Sequence, residues 1–165
     1  MIGVVLIANR SKKGNAMTST MTEELTGRSL VPARLFERLV ARLVADEGLL
    51  PEFAVRVMDQ ALAFLGTSAG HRGEPLSPSR VVDPGWHTFV LHTRDYREFC
   101  RRVAGRFIDH VPTTHPASGL GELAVRRTVA AMRRAGYLVD EVLWFSAGDC
   151  TGCHGGCHDD PPPGS

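Results

Sequence analysis

The chain has 165 residues, 43% of them hydrophobic and 22% charged, with a formal net charge of +1. That is enough chain and enough apolar content for one globular domain with a proper core. The even charge balance excludes nucleic acid and anionic membrane as expected partners, and with Lys12 and Lys13 the only lysines among 19 basic residues, the arginine bias reads as a GC-rich genome.

The opening run Met1-Ile2-Gly3-Val4-Val5-Leu6-Ile7-Ala8 is too short to span a bilayer. Its basic residues, Arg10, Lys12 and Lys13, follow the apolar stretch, where a secretory signal would place them first. Met17 and Met21 come soon after. Residues 1–28 are therefore expected to be a disordered leader or an over-called start, 29–145 a helical domain, and 146–165 a tail with a disordered end. The expected location is the cytoplasm, where clustered cysteines serve as metal ligands or redox thiols more often than as structural disulfides.

Helical spacing begins with Leu35, Phe36, Leu39, Val40, Leu43 and Val44, with Arg34, Glu37, Arg38 and Arg42 on the other side. Pro32 suits the first turn and Gly48 the stop, which predicts a helix over about 32–47. A second helix over 51–65 opens at Pro51, carries Phe53, Val57, Met58, Ala61, Leu62 and Leu65, and is expected to end near Gly66. Residues 67–82 then read as a long Gly/Ser/Pro-rich connection, either mobile or functional.

Asp83-Pro84 restarts the chain, with Asp83 expected at the N-cap and Pro84 at the first helical position. The helix is predicted to run unbroken to about Val103 and to form the centre of the domain. Trp86, Phe89, Tyr96, Cys100 and Phe107 are expected in the core, with Thr93 at the edge of that face.

The run Asp83-Pro84-Gly85-Trp86-His87, followed by Tyr96, Cys100 and Gly105, resembles the signature of the glycine-rich domain-containing protein family of plants and bacteria, here in a short bacterial form. The match covers roughly residues 80–112, with Phe89 standing where eukaryotic members often carry a second histidine. The resemblance implies a helical domain with a Gly- or Cys-rich tail, and it brings no reaction.

The histidines have plain readings beside the interesting ones. His87, in the first helical turn, is either a metal ligand or a buried histidine bonded to the preceding connection. His92 lies about 140° around an ideal helix from His87, so a regular helix would not let the two share a cation. It can touch Tyr96, four residues on. Cys100 reads first as a small core residue. His110 and His115 flank Pro112 in a loop, where each reads as a surface residue within reach of the tail. A further helix is predicted over 119–135, capped by Ser118 and stopped by Gly136, with Leu123, Val129 and Met132 inward. Asp140 is expected to cap one short turn ending at Leu143-Trp144. Together these elements predict an all-α fold, a small orthogonal bundle of about four helices.

The tail concentrates three of the four cysteines and two of the seven histidines: Cys150, Cys153, His154, Cys157 and His158. Thiolates and imidazoles this close, separated by glycines, suit a d-block cation, zinc first. Cys150-x-x-Cys153 forms a knuckle, Cys157 adds a third thiolate, and His154 or His158 a fourth ligand. Four ligands in nine residues is cramped, because most structural sites pair one knuckle with a distant segment. A ligand from the body, such as Cys100, His110 or His115, would relieve that, and His87 and His92 are further candidates. Cys150-Thr151-Gly152-Cys153-His154 also spells the attachment motif of c-type haem, but no export signal accompanies it and haem is not expected. The remaining reading is a flexible tail with free or redox-active thiols.

No phosphate-binding loop, dinucleotide fingerprint, His-Glu-x-x-His or nucleophile elbow is present. The expected function is therefore transition-metal binding through the tail, in a structural or protein-interaction role. The alternative is a metal-dependent enzyme or redox protein centred on His87 and the tail thiols, with Asp83, His87 and Tyr96 lining a pocket.

Overall fold

The computed structural model describes residues 24–110 and 120–145. Over these residues the chain is helical: a short 3-10 turn (Gly27–Leu30), then α1 (Ala33–Glu47), α2 (Pro51–Gly70), α3 (Asp83–Leu91), α4 (Thr93–Ala104), α5 (Leu120–Arg134) and α6 (Glu141–Phe145). The all-α expectation holds. Extended pairing among the described residues is limited to an isolated bridge between Leu25 and Tyr137. No described helix is long and apolar enough to cross a membrane. Residues 1–23 of the expected leader, Ser118 and the Cys/His-rich tail lie outside the described residues, whereas Leu25, Gly27 and Arg28, also assigned to that leader, are part of the fold.

The centre of the fold is α2, not the helix after Asp83. The 3-10 turn, α1, α3, α4 and α5 all pack against it. Ala54, Val57, Met58, Ala61, Leu62, Ala63, Phe64 and Leu65 are all buried. From Gln60 to Leu65 every residue is buried, so more than a full turn is enclosed on every side, as an all-round apolar stretch requires, while Glu52, Val55 and Arg56 face water nearer the start of the helix. Nor does α2 stop at Gly66. A Cβ there would stand 2.3 Å from the Tyr137 hydroxyl oxygen and 2.7 Å from a Leu30 methyl, so this glycine makes room for neighbours and the helix continues one turn to Gly70. The following connection is thus shorter than its composition suggests, and it is tied down. Thr128, buried on α5, accepts the Ser77 N–H at 3.0 Å and holds its hydroxyl 2.8 Å from the Ser77 carbonyl.

The predicted helix over 84–103 is two helices broken at His92, whose ψ of 57° departs from helical values. The aromatic core explains the break. In a straight helix Phe89 and Tyr96 would lie about 10 Å apart along the axis. Broken, the chain brings their rings to 5.1 Å edge to face, and Phe89 to 5.2 Å from Phe99, separations that favour aromatic pairs. Phe107 lies beyond the αL residue Gly105 that ends α4, and it is 48% exposed against expectation. On α5, Val129 and Met132 are buried as expected. Leu123 instead lies outward at 62% exposure, and Thr128 takes an inward place.

The stops at Gly48 (φ 65°) and Gly136 (φ 84°) hold as read from the sequence. Beyond Gly136 the chain is secured by one buried amide. Gln60, on α2, donates to the Leu138 carbonyl at 3.0 Å and accepts from the Asp140 N–H at 3.1 Å and the Trp144 indole N–H at 2.8 Å. Asp140 precedes α6 as expected, and its carboxylate is drawn outward to Arg56 at 2.6 Å.

Replacing Gln60 with Ala strands two donors and one acceptor in a buried setting. At about 1–3 kcal/mol for an orphaned group, partly relieved by water, Gln60→Ala should destabilise the fold by about 3 kcal/mol. Denaturant unfolding with an unchanged m-value is the check, and a loss under about 1 kcal/mol would mean that the 138–144 segment is not held by this amide.

Candidate functional site

A chain of two buried hydrogen bonds positions the polar cluster at the start of α3. Gly85 lets α3 approach α2 closely, since a Cβ there would meet the Ala61 methyl at 2.8 Å. That approach places Trp86 against Phe64, ring centres 5.1 Å apart. The Trp86 indole N–H donates to the Tyr96 hydroxyl at 2.9 Å, and that hydroxyl donates to the Ile108 carbonyl at 2.6 Å. Burial, the largest influence, pushes the Tyr96 phenol up, beyond what the Trp86 hydrogen bond offsets. The phenol therefore remains a protonated donor at ordinary pH.

This relay pins the segment after α4 and delivers His110 to the face of α3. The His110 ring stands edge-on to Trp86 with centres 4.5 Å apart. Its Nε2 lies 3.2 Å from a carboxylate oxygen of Asp83. His87, one turn along α3 from Asp83, has its ring centre 5.6 Å from that of His110. The His110 side chain is 12% exposed and that of Asp83 44%, while His87 is exposed. Two imidazoles and a carboxylate thus meet at the edge of the aromatic core.

Several expectations change here. Asp83 is the first residue of α3, makes no capping bond and is turned to His110. The turn before α3 is instead closed by Ser79, whose hydroxyl accepts the Val82 N–H at 3.1 Å and donates to the Leu143 carbonyl at 2.6 Å. His110 was expected at the surface, but the Trp86 ring and the Asp83 carboxylate draw it inward. His87 is not the buried histidine that one reading allowed. Tyr96 lines no pocket with Asp83 and His87, because its hydroxyl is enclosed and already both donates and accepts. His92 sits at the helix break with Nδ1 3.1 Å from the Thr88 carbonyl. Cys100 is 1% exposed in the apolar core, so a cation outside the core cannot reach its sulfur. His115, Cys150, Cys153, His154, Cys157 and His158 lie outside the described residues.

Among the described residues, no group of three or more His, Cys, Asp or Glu side chains is placed to hold a metal ion. The Asp83–His87–His110 cluster offers two imidazoles, and its carboxylate is engaged by one of them. Two hollows lie elsewhere. A cleft of about 370 Å³ is lined by Arg28, Phe36, Arg56, Asp59 and Leu138 among others, and burial pushes the Asp59 carboxyl up against the pull of its bond from the Arg28 N–H. A groove of about 600 Å³ runs past Pro32, Leu35, Asp95, Phe99 and Arg102. Of their charged lining residues, Arg56 is paired with Asp140 and Asp95 with Arg38. The His110–Asp83 pairing was not legible in the sequence, where 27 residues separate the partners.

A family model described as UCP032817-like matches residues 34–135, more than half of the chain, and the chain belongs to that family. The matched span includes Asp83, His87 and His110 and ends before α6 and the tail. No curated protein and no solved structure matches the chain.

Removing the Tyr96 hydroxyl orphans the Trp86 indole N–H and the Ile108 carbonyl together. Tyr96→Phe should cost about 2–4 kcal/mol in denaturant unfolding. The alkaline limb adds a second signature. Because the folded phenol is held above its ordinary value of 10.0, the unfolded chain loses its proton first as pH rises. Stability is then fully present below that value and declines above it. Tyr137, also raised by burial, acts with the same sign. Tyr96→Phe should therefore flatten the decline above pH 10 without abolishing it, as measured by melts across pH 8–11.

Proposed function

We propose that this UCP032817-like protein is a helical scaffold that binds a transition metal, zinc first, through Cys150, Cys153, Cys157, His154 and His158, in a structural role that supports a protein interaction. One observation supports the reading best, the fixed departure point of the tail. Trp144 is buried and bonded to Gln60, and the Leu143 carbonyl is bonded to Ser79. The Cys/His stretch therefore begins five residues beyond a helix locked to the core. A tethered start raises the effective concentration of the ligands around one point. The thiolates supply soft donors suited to zinc over the hard cations.

The likeness of Trp86-His87, Tyr96, Cys100 and Gly105 to the glycine-rich domain-containing family belongs to the same reading. Each of these residues except His87 has a packing reason here: an indole–phenol bond, a buried thiol, and a helix stop in the αL conformation. His87 alone projects outward, which marks it as the member of the pattern left for chemistry. A reducing, cytoplasmic setting would keep the tail thiols free for the metal.

The second reading, a metal-dependent enzyme or redox protein centred on His87, draws on the same exposure of that ring. An enzyme would keep an open coordination position, whereas a structural site closes its shell with four protein ligands.

Untagged protein from a zinc-supplemented preparation should carry about one zinc per chain, released by thiol-modifying reagents. The full-length triple variant Cys150→Ser, Cys153→Ser, Cys157→Ser should lose it while keeping its helical circular dichroism. Metal-free wild-type protein with freely titrating thiols would overturn the proposal. Metal retained in the triple variant would transfer the site to the histidines and favour the enzyme reading.

A further inference from the structure

The cleft between the 3-10 turn and the 138–140 segment has walls fixed by two neighbouring residues of α2. Gly27 permits the first wall: a Cβ there would stand 1.9 Å from the Asp59 carbonyl oxygen, so only glycine lets the turn lie this close to α2. The next residue, Arg28, donates its backbone N–H to the Asp59 carboxylate at 2.7 Å. Gln60 pins the opposite wall through the Leu138 carbonyl and the Asp140 N–H. The hollow they enclose, about 370 Å³, falls within the range of about 300–1,000 Å³ typical of small-molecule sites. Walls fixed in advance leave little to be ordered when a ligand enters.

The charges that line this cleft are only partly paired. Arg56 and Asp140 satisfy one another, whereas among the described residues neither Arg28 nor Asp59 forms a salt bridge. The Arg28 guanidinium lies 5.1 Å over the Phe36 ring, which leaves its N–H edge for a planar anion. Asp59 accepts two N–H groups, from Arg28 and from Gln60 Nε2 at 3.3 Å, against about four lone-pair sites on a carboxylate. Burial pushes its carboxyl up despite both bonds, the mark of a negative charge short of compensation. Beside these charges the lining is apolar, from Phe36, Val55, Leu138 and Val139. Val55 and Leu138 are 38% and 48% exposed, apolar surface that a nonpolar group would cover.

We propose that this cleft binds a small zwitterion with an apolar side chain, the chemistry of a free aliphatic α-amino acid, with Asp59 holding the ammonium and Arg28 the carboxylate. The two protein charges act on one another without touching, so a ligand carrying both opposite charges on adjacent atoms completes both. A simple amine would satisfy Asp59 and face Arg28 as a like charge, and a simple anion would face Asp59 in the same way. The ligand side chain then lies along Val55 and Leu138. The site shares no residue with the Asp83–His87–His110 cluster, and it stands independently of the metal-binding reading.

The test titrates full-length protein with L-leucine while its amide NMR signals are followed. The Arg28 and Asp59 backbone signals and the Gln60 side-chain amide should shift saturably, with a Kd below about 1 mM. Leucinamide, which lacks the carboxylate, and isocaproate, which lacks the ammonium, should each bind at least about 10-fold more weakly, the worth of one charge-assisted hydrogen bond. Arg28→Gln, at an exposed position and with the backbone bond to Asp59 retained, should weaken L-leucine by a similar factor, as should Asp59→Asn. The two analogues need no altered protein, so they decide the question even where Asp59→Asn fails to fold. No saturable shift with L-leucine, L-methionine or L-phenylalanine up to about 10 mM would overturn the proposal. So would either single-charge analogue binding as tightly as L-leucine, or wild-type affinity in Arg28→Gln.

Discussion

The enclosure of α2 is the constraint on which the rest of this structure depends. Its apolar residues point in every direction, so no single partner helix can cover them. Five neighbouring elements, from the 3-10 turn to α5, are arranged around it instead. Small residues set how close they come. Ala61 meets Gly85 of α3, and Gly66 leaves space for Tyr137 and Leu30. At protein packing density an added methyl at such a contact has nowhere to go without moving a neighbour.

Polar groups inside this enclosure are few, and several of them join distant parts of the chain. Gln60 holds the segment leading to α6, Thr128 holds Ser77, Ser79 holds Leu143, and Tyr96 couples Trp86 to Ile108. A buried amide or hydroxyl contributes little net stability when paired and costs much when orphaned. Such groups therefore discriminate between arrangements more than they add to stability, selecting the one packing in which all partners meet. Their common result is that α3, α6 and the end of α4 converge on one side of the domain.

That convergence gives the Asp83–His87–His110 cluster its character. Trp86 closes one side of His110 and Asp83 orients it, while His87 stays open to solvent. Among the described residues the cluster brings together two imidazoles and one carboxylate, and that carboxylate is already engaged by His110. The family match covers all three residues of this cluster.

Periodicity and punctuation determined the element count to first order. The apolar spacing of Phe36, Leu39 and Leu43, the Pro51 start and the αL glycines at Gly48 and Gly136 are local signals, and local signals survive in the sequence. The burial of Trp86, Tyr96 and Cys100 was legible for the same reason. The break at His92 was not, because it is favoured by ring contacts that exist only once α3 and α4 are packed. Gly66 was misread as a stop because a glycine that ends a helix and one that admits a neighbour look identical without that neighbour. The cysteines and histidines of the tail raise an expectation of soft-metal chemistry by composition alone. Which body residues face one another was decided by tertiary structure: the Tyr96 relay carries His110 across 27 residues of chain to Asp83, and spacing along a sequence encodes no such distance.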